Sequence, residues 1–90
     1  MSQVAAANAE GGHELYVRHA RRDGRSIAVL RAIDEGHRCV VVTEVWPSED
    51  DPQSSIAAGP YTFRSPVEAT RFVTHAVEAL IALGCDVRAS

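Results

Sequence analysis

Ninety residues hold one domain at most, and a chain this short buries only roughly 60–65% of the surface its unfolded form exposes. The composition is that of a globular protein, 46% hydrophobic and 23% charged, and a net charge of −3 argues against a dedicated duplex-DNA binder, whose balance is basic. Two cysteines, Cys39 and Cys85, make no disulfide framework, so the thin core points to oligomerisation as its support.

All nine basic residues are arginine, and alanine is abundant. The coding bias of a GC-rich bacterium accounts for both. Selection of arginine for planar, bidentate contacts is the alternative.

Residues 1–12 read as a flexible tail, small and without an apolar period, ahead of a single α+β domain over residues 13–90. The tail lacks the basic start and long apolar core of a secretory signal, and no stretch nears the roughly 18 apolar residues of a membrane span. A cytoplasmic protein with reduced thiols and no membrane contact is expected.

A first strand is predicted over residues 13–20, where Leu15 and Val17 alternate with Glu14, Tyr16 and Arg18. Asp23-Gly24 then forms a hairpin turn, since both residues tolerate positive φ. The second strand covers residues 25–34, Glu35-Gly36 turns the chain, and a β-branched third strand covers residues 38–46. These make an antiparallel meander. Residues 47–59 read as a long loop, with an acidic Glu49-Asp50-Asp51 run, before a short fourth strand at residues 61–64.

The helix is marked at both ends. Ser65 is its N-cap, Pro66 occupies the first position, Glu68 completes a capping box, and Gly84 stops it. Ala69, Phe72, Val73, Ala76, Leu80 and Leu83 form its apolar stripe; Glu68, Arg71, His75 and Glu78 form its polar side. Residues 85–90 are a short tail or a fragment of edge strand. The predicted fold class is α+β: a four-stranded antiparallel meander with one C-terminal amphipathic helix on one face.

One helix covers one face of a sheet, and a wet opposite face calls for alternation. The second and third strands do not alternate. Ile27, Val29 and Ile33 oppose Ala28, Leu30 and Ala32; Cys39, Val41 and Val45 oppose Val40, Val42 and Trp46. Both faces therefore read as dry, and a second copy of the chain is the simplest cover. The expected dimer face is Ile27, Val29, Ile33, Val41 and Val45. A protein partner, a ligand or the long loop folding back are the alternatives.

Arg18, Arg21, Arg22, Arg25 and Arg31 crowd the first hairpin with only Asp23 against them. With Tyr16 they form a candidate single-stranded nucleic-acid surface, since basic groups track phosphates and aromatics stack bases. A solvated hairpin tip whose charges discourage edge aggregation is the other reading, and the overall acidity favours it. His13, His19, His37 and His75 show no metal-ligand spacing, so no metal or other cofactor is expected. Asp34-Glu35 reads as a solvated turn, Cys39 as a buried thiol, and Cys85 as an unactivated one.

Four strands followed by one long helix, over residues 15–84 and ending in Leu83-Gly84, is an order similar to the repeat of PUR-alpha and whirly-type single-strand nucleic-acid binders. That resemblance implies dimeric packing and nucleic-acid contact on the sheet, and it carries over no functional residue. With no clustered nucleophile, acid and base, the expected function is a small non-catalytic dimeric module acting through protein–protein contacts. Single-stranded nucleic-acid binding and a small enzyme or enzyme subunit, with its pocket near His19, His37 and Glu44, are the alternatives.

Overall fold

A computed structural model of the chain describes residues 12–89. The expected N-terminal tail, up to residue 11, lies outside the described residues. Strand β1 (His13–Arg22) turns into β2 (Arg25–Asp34) through two residues with positive φ, Asp23 at 54° and Gly24 at 77°. This turn carries the twist that two right-twisted strands need. A second tight turn follows. The Asp34 carboxylate accepts a hydrogen bond from the Gly36 amide (2.9 Å), and the Glu35 amide donates to the Arg38 carbonyl (2.8 Å). Strand β3 (Cys39–Val45) then pairs with β2, and β4 (Ile56–Phe63) pairs with β3. Helix α1 (Pro66–Ala82) precedes a last strand, β5 (Asp86–Ala89).

The fold is α+β, an antiparallel sheet with the helix near the C-terminus, but the sheet has five strands rather than four, in the order β4-β3-β2-β1-β5. After α1 the chain returns to the free edge of β1 and pairs from Arg18↔Ala89 to Arg21↔Asp86. Strand β2 is thereby the central one. Residues 85–90 carry one β-branched residue in a run too short to show a period. What makes the segment a strand is the unpaired β1 edge beside it.

Strand β4 is also longer than expected and shortens the loop to residues 46–55. Its Ala57-Ala58-Gly59-Pro60 stretch contains poor strand formers. The chain pairs there because β3 offers partners on both sides of a bulge. Thr43 faces Ala58 and Val41 faces Tyr61, so Gly59 and Pro60 together stand opposite Val42. The Gly59-Pro60 bond is cis. Proline's missing N–H is tolerated because β4 is an edge strand.

Ser65 and Gly84 end the helix where the sequence predicts, but the Glu68 carboxylate reaches one residue past the N-cap. The Ser65 hydroxyl accepts from the Glu68 amide (3.3 Å), while the Glu68 carboxylate accepts from the Arg64 amide (3.0 Å). At the other end the Gly84 amide donates to Ile81 and the Cys85 amide to Leu80, a Schellman closure that places Gly84 at φ 94°.

The helix covers the face bearing Ala20, Ala28, Leu30 and Ala32, whose three alanines permit close approach. Ala69 and Val73 pack on Ala32, Cys39 and Val41, and Phe63, Phe72 and Val77 surround that centre. The Phe72 ring lies 5.0 Å from Tyr61 and 5.2 Å from Phe63, centroid to centroid. Leu83 departs from the expected stripe. It is the C-cap, beyond the last helical turn, and stands 66% exposed. In β1 the register slips between Glu14 and Tyr16, leaving Leu15 unpaired. The slip brings both Leu15 and Tyr16 against the core, whereas Val17, expected to share a face with Leu15, lies on the opposite side of the sheet.

Candidate interaction surfaces

The six residues predicted to meet a nucleic acid do not share one surface. Tyr16 and Arg18 face the helix: the Tyr16 hydroxyl hydrogen-bonds the Thr70 hydroxyl at 3.0 Å, and the Arg18 guanidinium lies 4.7 Å above the Tyr16 ring while donating to the Val17 carbonyl. Arg22 sits at the hairpin tip on the side of Gly84. Arg25 approaches Glu49 at 3.7 Å, and its Nη1 is buried with no hydrogen-bond partner among the described residues. Arg31 lies across the sheet and is bonded to Glu14 at 2.9 Å. Arg21 alone of the six joins a basic group on the open face, beside His19 and Arg88. Glu49, from the acidic run of the long loop, thus meets an arginine of its own chain.

The predicted dimer face divides as well. Val41 is fully buried beneath the helix, and Val45, paired with Ala28, faces the same way. Val29 and Ile33 lie on the opposite face. Ile27 falls at a register slip with no β1 partner, and its carbonyl accepts from the Trp46 amide (2.9 Å). Strand parity alone separates two faces of each strand. It does not say which face of β3 continues which face of β2; the pairing Ala32↔Val41 does.

The open face can be read row by row from the pairing. One row crosses the whole sheet: Ala57, Glu44, Val29, His19, Arg88. The next holds Val42, Arg31 and Val17; a third holds Thr62, Val40, Ile33 and Glu14. The middle is therefore apolar but only partly exposed: Val42 is 37% exposed, Val29 and Ile33 are half-buried, and Val17 and Val40 are buried. No second helix or strand among the described residues lies over it.

Two shallow hollows flank Val29 on this face. One, of about 360 Å³, includes Val29, Val42, Glu44, Ser55 and Ala57; the Glu44 carboxylate accepts from the Ser55 hydroxyl at 2.6 Å. The other, of about 480 Å³, is formed by His19, Arg21, Asp86 and Arg88. There the Arg88 Nε donates to both Asp86 oxygens at 3.1–3.2 Å, a bond that raises the arginine's pKa above its ordinary value. Of the three residues expected near an enzyme pocket, His19 and Glu44 share a row but stand one strand apart, and His37 lies in the β2–β3 turn. Sequence reasoning misses Asp86 and Arg88 because the segment that carries them, a short tail or a fragment of edge strand, has no assigned partner strand or face.

A third feature lies under the helix. Its C-terminal half leaves an apolar groove of about 300 Å³ against β2, β3 and β4, between Leu30, Val45, Ala58, Tyr61, Phe72 and Leu80. Among the described residues no group of three or more His, Cys, Asp and Glu side chains is arranged to hold a metal ion. No helix among them is long and apolar enough to cross a membrane. Comparison with family models, curated proteins and solved structures finds no match to this chain.

Proposed function

We propose that this protein is a small non-catalytic binding module that works as a homodimer through protein–protein contacts. The observation that carries the reading is the sheet face away from the helix: an apolar centre in which Val29, Ile33 and Val42 are partly exposed, with no described helix or strand over it. Apolar surface left to water on a thin domain is a standing free-energy cost, and a self-complementary face removes it by pairing with its own copy. The scattering of the arginines favours protein over nucleic acid as the partner, since phosphate tracking needs its cations on one continuous surface.

Light scattering on the size-exclusion peak at micromolar concentration tests this reading. The expected mass is twice that of the 9.7 kDa chain. A mixed single-stranded oligonucleotide at low salt is expected to leave the peak unmoved. A peak that shifts with the oligonucleotide and returns as salt rises overturns the protein-partner reading in favour of nucleic acid. A monomeric mass overturns the dimer.

A further inference from the structure

We draw no further inference here: the strongest candidate, the apolar groove of about 300 Å³ between the C-terminal half of α1 and strands β2, β3 and β4, is an unpartnered surface, and nothing in the structure shows what covers it.

Discussion

Three influences act on the thiol of Cys39. Burial disfavours its thiolate most, and the nearby carboxylates of Asp34 and Glu35 add to the effect, so its pKa lies above the ordinary 9.0. The neutral thiol is therefore the form the fold prefers. Its contribution to stability is complete below the unfolded pKa and is lost as pH rises through the folded one, so the urea midpoint is expected to fall above about pH 9 and to stay flat in this respect below it. Cys39→Ser should remove that part of the alkaline decline. Labelling by a thiol reagent at pH 8 checks the same environment: Cys85, half-exposed past the helix, reacts first, and Cys39 reacts only as the domain opens. Val41, beside it, is the largest side chain with no exposure at all. Val41→Ala is expected to cost about 2 kcal/mol, from lost transfer energy and an unfilled cavity, measured by urea unfolding. The buried state of Cys39 was legible from its place in a β-branched run. The helix-facing direction of Val41 was not, because alternate positions on that strand are equally apolar.

Among the elements, the helix was the most legible, since its signals are local. Ser65, Pro66 and Glu68 act within one turn, and Gly84 acts within the last. Ser65→Ala is expected to cost about 1 kcal/mol by freeing the Glu68 amide. Gly84→Ala is expected to cost about 1–2 kcal/mol, because φ 94° strains any residue with a Cβ. The 17-residue helix holds the two sites roughly 25 Å apart, so the double variant should lose the sum, as chemical denaturation of all three proteins would show. The hairpin at Asp23-Gly24 was legible for the same reason. Strands β4 and β5 were less so. Pairing of β4 depends on a bulge opposite Val42, and β5 depends on an edge supplied by residues far earlier in the chain, as in Ala20↔Val87.

For the whole molecule, β5 has an effect larger than its four residues. It closes the edge of β1 and makes β2 central, and it brings Asp86 and Arg88 to the open face. Removing residues 86–90 is expected to lower the urea midpoint and to promote association through the bared β1 edge, visible as scattering on concentration.

Local chemistry in the sequence determined the antiparallel α+β class, the first hairpin, the helix with both its caps, and the presence of apolar residues on both faces of the middle strands. Those features depend on neighbours within a few positions, where side-chain size, φ preference and hydrogen-bonding groups act directly. Only the tertiary structure decided which faces of β2 and β3 are continuous, that Tyr16 and Arg18 lie against the helix while Arg21 and Arg31 lie away from it, and that a fifth strand completes the sheet. Each of these depends on register between distant segments, and a slip of one residue, as at Leu15 or Ile27, sends a side chain to the other face.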